Sequence, residues 1–402
     1  MNTARLKSQR RDFLKYCGLS GLPLFLPQLG TAQTSEPPPL FDKKDVKSPV
    51  NFLYDGLSFT PQAYLDQLKL IDQDKPLQGD FYGVGGATKA LEETFAKLTG
   101  KEKAIYLPTG TMANQLAIKL LNGSKTKVIV PENSHIFRDE ADAAQSVHQK
   151  RLIPVGKEKA FFDLDDLKAT LNYLDQNEVF KSGLGTVVIE NPVRRADGKF
   201  VPLETIKSIA TYCRAEGYQL HLDGARIHLA AAYSGVSVKD YASYFDTVYI
   251  SLYKYLNAAG GAILCGDAQI IDQLSHQIKI YGGTTYQTWT NTAMALHYLE
   301  GIDQRWKKVV AQAGLLMAAI NQLEGLSVSA LEQGTNIHHL KVAKSISLKA
   351  LANHLYEEHN IWLGRANAEG IVRFTINESL LSRDLDSIIN AWKAGWKIAQ
   401  KS

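Results

Sequence analysis

The 402-residue chain is poor in cysteine, with three, and no pair of them has the spacing of a disulfide framework or a metal site. Cys213 and Cys265 fall in separate predicted elements and read as core residues, while Cys17 lies near the N-terminus. Long uninterrupted apolar runs are also missing. The best stretch, Tyr16 to Leu29, is broken by Gly18, Gly21, Pro23 and Pro27, too short and too interrupted for a spanning helix, which needs about 20 apolar residues. Net charge is scarce outside one region: residues 1–32 carry Arg5, Lys7, Arg10, Arg11 and Lys15 against Asp12, which accounts for the whole net charge of +4. The remaining chain is neutral, which removes the main electrostatic argument for a nucleic-acid or membrane partner. Repeats and low-complexity segments are absent as well. What remains is an ordinary globular composition, 45% hydrophobic, enough for one large domain and a smaller one.

The N-terminal cations sit in Ser8 to Lys15, a segment that resembles a twin-arginine export signal, with small residues for cleavage at Gly30-Thr31-Ala32. Residues 1–32 are therefore expected to be a signal peptide and the mature protein periplasmic; a cytoplasmic enzyme with a basic N-terminus is the alternative. Residues 33–60, with Pro37-Pro38-Pro39, read as a linker and N-terminal segment, residues 61–300 as the large domain, and 301–402 as the small one.

From about residue 100 to 270, short apolar runs alternate with helical patterns, the signature of a mainly parallel sheet covered by helices. Predicted strands are Ala104 to Leu107, Lys127 to Val130, Thr186 to Glu190, Gln219 to Leu222, Thr247 to Ser251 and Ala262 to Cys265. Several lack polar alternation, as strands buried on both faces should. After residue 300 the pattern becomes α+β: a long helix, strands near Asn336 to Val342, Ile361 to Leu363 and Ile371 to Ile376, and a last helix with Ile388 and Trp392 on its core face.

Ligands of such sheets bind at the carboxyl ends of strands, and there the sequence places Asp223 in HLDGARIH and Lys254 in YISLYK. A lysine and an aspartate at strand ends suit pyridoxal 5′-phosphate (PLP): the amine forms a Schiff base with its aldehyde, and the carboxylate keeps the pyridine nitrogen protonated. Gly110 and Thr111, where a strand turns into a helix, are candidates for the phosphate, because helix N-termini present free amides. Ser251 could add a hydroxyl. His135 could stack on the ring or move a proton, and Glu140 is a weaker acid–base candidate. Arg226 follows Asp223 into the cleft. Arg373 lies in an apolar strand, where a guanidinium needs a partner: a substrate carboxylate, or a structural salt bridge with Glu369 or Glu378.

Taken together, the segments GDFYGVGGATKALEETFAKLTGKEKAIYLPTGTMANQ, NSHIF, IENPVRRADGKFVPLE, HLDGARIHLAAAYSGV and FDTVYISLYKYLNAAGGAIL resemble the threonine aldolase and β-eliminating lyase group of PLP fold-type I enzymes, over about residues 51–399. The resemblance implies an α/β fold with a mainly parallel, seven-stranded sheet in the large domain and a smaller C-terminal α+β domain. It implies Lys254 as the Schiff-base lysine, Asp223 at the pyridine nitrogen and His135 stacked on the ring. Gly110 and Thr111 would hold phosphate, and Arg226 and Arg373 the substrate carboxylate, in a homodimer or homotetramer acting on a small amino acid. Three departures stand out. Val193 replaces a second histidine near the substrate β-hydroxyl, Asp55-Gly56-Leu57 replaces a Ser-Asp-Thr segment, and Tyr286 stands where a glycine-rich loop lends an arginine across the interface.

The expected activity is threonine aldolase-like cleavage of the Cα–Cβ bond of a β-hydroxy-α-amino acid, giving glycine and an aldehyde. β-Elimination to a keto acid and ammonia is the alternative, since Val193 cannot deprotonate a hydroxyl. An aminotransferase and an inactive exported binding protein are more distant ones.

Overall fold

The computed structural model describes residues 48–400, so the expected signal peptide and most of the expected linker lie outside the described residues. The described residues fall within one compact unit. Its strands are β1 (Val50–Asn51), β2 (Lys103–Leu107), β3 (Lys127–Pro131), β4 (Arg151–Val155), β5 (Leu184–Glu190), β6 (Gln219–Asp223), β7 (Thr247–Ser251), β8 (Ala262–Gly266), β9 (Leu326–Ser329), β10 (Ile337–Val342), β11 (Ile361–Trp362) and β12 (Ile371–Thr375).

Seven of these build the central sheet in the order β2-β8-β7-β6-β5-β3-β4. Only β8 runs antiparallel to its neighbours, β2 and β7; the other pairs are parallel. β3, β5, β7 and β8 are buried at every position, which is what helices on both faces require and why these runs lack polar alternation. Cys213 and Cys265 are buried, unpaired core residues.

A second, three-stranded antiparallel sheet, β12-β10-β9, is followed by the last helix, Leu385–Ala399. That helix buries Ile388 and Trp392, as its helical spacing predicts, and the Trp392 ring meets Phe52 and Phe374 edge-on. β1 pairs in parallel with β11, so the segment leading to Asp55 is fastened to the C-terminal part of the chain. Among the described residues no helix is long and apolar enough to cross a membrane.

Candidate active site

The parallel strands end on one side of the sheet, and all of them but the edge strand β4 carry a site residue at or just beyond that end. β2 leads into the helix Gly110–Asn122, with Thr109 as its cap accepting from the Met112 amide at 3.2 Å. At Gly110 a side chain has no room: a Cβ there would strike the Tyr249 hydroxyl. β3 leads to His135, β5 ends in Glu190, β6 ends in Asp223, and Ser251 ends β7 just before Lys254. The sequence-predicted cluster of Gly110, Thr111, His135, Asp223, Ser251 and Lys254 is thus gathered by four strand ends, and β5 adds Glu190.

Lys254 is buried, its Nζ 5.4 Å from the centre of the Tyr253 ring. Burial, then the positive charge of Arg226, pull its amine from 10.5 down to about 8, outweighing Asp223 and Asp55. At pH 7.5 roughly a quarter of such amines are neutral, against roughly one in a thousand for an ordinary lysine. A neutral amine is the nucleophilic form.

His135 is held at two points. Its backbone N–H donates to Glu190 Oε2 at 2.6 Å, and its Nδ1 meets Glu140 Oε1 at 2.9 Å. Burial draws the imidazole down, but the Glu140 hydrogen bond and the Asp223 charge overcome it and raise its pKa. Glu190, fully enclosed, also accepts from the Arg194 amide at 2.8 Å; burial, with Asp223 nearby, pushes its carboxyl upward. Asn114 donates to Glu140 at 2.8 Å and to Asp223 at 3.1 Å.

Arg226 is not an open guanidinium. Asp55 clamps it, Oδ1 accepting from Nε at 3.2 Å and Oδ2 from Nη2 at 2.5 Å, which leaves Nη1 outside the pair. The Tyr255 hydroxyl donates to Asp55 at 2.7 Å and accepts from Asn336 Nδ2 at 2.8 Å. Although burial opposes it, the Arg226 charge holds Asp55 at about 2.

Arg373 departs from the expected setting. Its side chain is 56% exposed and its Nε lies 3.0 Å from Asp197, not from Glu369 or Glu378. β12 alternates, with Val372 and Phe374 inward and Arg373 outward, so the strand needs no buried partner for it. Glu378 pairs instead with Arg305, at 3.3 Å. Val193 is wholly buried in the main core, so its position offers the cleft no functional group. Tyr286 is exposed, packed edge-on against Phe81 and Tyr82 at 5.1 and 5.4 Å.

Several members of this site were not singled out from the sequence. Glu190 closes an otherwise apolar strand, the same signal that exposes Asp223. Asn114 lies four residues after Gly110, hence on the same helix face. His221 carries no local signal, and Asp55, noted only within the segment that replaces Ser-Asp-Thr, carries none for its pairing with Arg226.

Comparison with known proteins fits this geometry. The beta-eliminating lyase family matches residues 73–345. The chain belongs to that family. The low-specificity L-threonine aldolase of Candida albicans is 31% identical over 215 residues, 53% of this chain and 57% of that protein. The chain thus spans little more than half the length of this fungal relative. The Escherichia coli low-specificity L-threonine aldolase is 26% identical over 319 residues, 79% of this chain and 92% of that one. In fold, the Leishmania major threonine aldolase superimposes with a TM-score of 0.66 at 17% identity, over 87% of this chain and 100% of that chain.

PLP is the cofactor of this family, and the residues present fit it. Ser251 Oγ is buried and makes no hydrogen bond of good geometry, lying near the Tyr249 hydroxyl that also crowds Gly110 at the helix start. Gly110, Thr111 and Ser251 would hold the phosphate, Asp223 the pyridine nitrogen and Lys254 the aldehyde carbon. His135 would cover the ring.

Proposed function

We propose that this protein is a PLP-dependent carbon–carbon lyase that cleaves a β-hydroxy-α-amino acid into glycine and an aldehyde. Supporting it above all is the meeting of a buried, easily deprotonated Lys254 with Asp223 and His135 at neighbouring strand ends. PLP supplies an electron sink for the carbanion left when a bond to Cα breaks. The chain does the rest. Lys254 provides the attacking amine, and Arg226 Nη1 with the exposed guanidinium of Arg373 receives the substrate carboxylate, fixing which Cα bond stands ready to break. His135, tied to Glu140, holds or moves the proton of the β-hydroxyl.

The buried Val193 favours a second reading, β-elimination to a keto acid and ammonia, because that position supplies no base. Purified protein supplied with PLP and a panel of β-hydroxy and β-substituted amino acids separates the two. Glycine with an aldehyde supports the lyase; a keto acid with ammonia and no glycine replaces it by elimination.

Two further features belong to this reading. The protein acts after export by the twin-arginine route, a proposal that rests on residues 8–32; cell fractionation and the mass of the mature N-terminus test it. It works as a homodimer or homotetramer, for which the exposed Phe81, Tyr82 and Tyr286 cluster provides apolar surface. Light scattering of the purified protein decides the number of subunits.

A further inference from the structure

Behind the cleft runs a line of buried polar side chains that the chemistry above leaves unused. Asn114, His221 and Thr247 are each fully buried, on the helix after β2, on β6 and on β7. His221 Nε2 lies 3.0 Å from Asn114 Oδ1, and its Nδ1 lies 2.8 Å from Thr247 Oγ1. Burial drives the imidazole pKa down to about 4, so the ring is neutral and carries one hydrogen. The Asn114 amide nitrogen donates to the oxygens of Glu140 and Asp223, at 2.8 and 3.1 Å, which turns its oxygen toward His221. That oxygen can only accept, so the ring hydrogen is on Nε2, which donates to it and locks the orientation, while Nδ1 accepts from the threonine hydroxyl.

The facing atoms of Glu140, Asp223 and His135 lie within 4.8 Å of one another. Two carboxylates so close repel, and a donor shared between them offsets that repulsion. An amide gives each a hydrogen and does not itself titrate. We propose that Asn114, oriented by His221 and Thr247, is a positioning residue that bridges Asp223 and Glu140 with its two N–H bonds, so that the acid beneath the cofactor ring and the acid that orients His135 are set by one side chain. The inference rests on the PLP reading for the role of Asp223. The other charged groups acting on this cluster are Lys254, felt by Asp223 and His135, Glu190, which accepts from the His135 amide, and Asp139 near His135.

Two measurements on Asn114→Leu test the proposal. The first is binding of PLP to the apo-protein at pH 8, as the ratio of variant to wild-type Kd: with Asp223 no longer placed by its donor, the ratio is about tenfold. The second is NMR titration of the His135 imidazole in the apo-proteins: the Glu140 hydrogen bond that raises this imidazole is no longer fixed in the variant, so its midpoint moves down relative to wild type. His221→Leu reproduces both effects, and His221→Gln, which can still donate to the Asn114 oxygen, reverses them. This pair carries the test if Asn114→Leu does not fold. Unchanged PLP affinity together with an unmoved His135 titration overturns the proposal. Wild-type protein that binds no PLP overturns the functional reading, while the His135 titration still decides the role of Asn114.

Discussion

Asp55 holds Arg226 by two parallel hydrogen bonds, across 171 residues of sequence. Removing one partner of an enclosed ion pair leaves the other charge uncompensated, at a cost of about 3 kcal/mol or more. Asp55→Asn is expected to lose about that much stability against urea at pH 7. The Asp55 carboxyl is depressed to about 2, so its contribution is fully present above its ordinary value of 3.8 and is lost as pH falls through 2. The gap between wild type and variant should therefore be constant from pH 5 to 7 and narrower at pH 3. A gap unchanged at pH 3 would contradict this assignment.

Lys254 has the opposite linkage. Its folded pKa, about 8, lies below the unfolded 10.5, so the buried ammonium costs stability below pH 8, and the cost disappears as pH rises toward 10.5. The apo form of Lys254→Met should be more stable than apo wild type at pH 7, by at most about 3 kcal/mol. The difference should close near pH 10. Thermal unfolding of both apo-proteins at the two pH values checks it.

Gly110→Ala places a methyl group against the Tyr249 hydroxyl. Overpacking of this kind costs about 1–3 kcal/mol, and it displaces the helix start assigned to the phosphate. We expect a lower melting temperature and roughly tenfold weaker PLP binding. Adding Tyr249→Phe, which removes the obstructing oxygen, should restore part of both; no recovery in the double variant would place the clash elsewhere.

For Arg373→Ala the stability change should stay below about 1 kcal/mol, because its pair with Asp197 is exposed. KM for the amino acid should nevertheless rise about tenfold with kcat nearly unchanged, the pattern of a lost carboxylate contact. An unaltered KM would remove Arg373 from the substrate site.

Strand ends were the most legible part of the molecule. A charged residue that terminates an apolar run, as Asp223 does, has few explanations in a parallel sheet, and the runs themselves marked β2, β3, β5, β6, β7 and β8. β4 escaped because an edge strand reading Arg151-Leu152-Ile153-Pro154-Val155 is buried only at Leu152 and Val155 and contains a proline. The partner of Arg373 escaped because Asp197 lies 176 residues upstream, and nothing local distinguishes it from Glu369. Asn114 and His221 escaped for another reason: a neutral polar residue in a helix or strand looks the same whether it serves a site or only the core, and hydrogen-bond geometry alone tells which.

The parallel pairing of Val50 with Ile361, together with the Asn377 side chain bonded to the backbone of Asn51 and Tyr54, has a consequence for biosynthesis. Asp55 reaches its guanidinium from a segment docked on residues synthesised long after it. A nascent chain halted before residue 361 holds its lysine, its aspartate and its histidine but lacks the strand that fastens the counterion of Arg226, so maturation of this cleft waits until synthesis has passed Asn377.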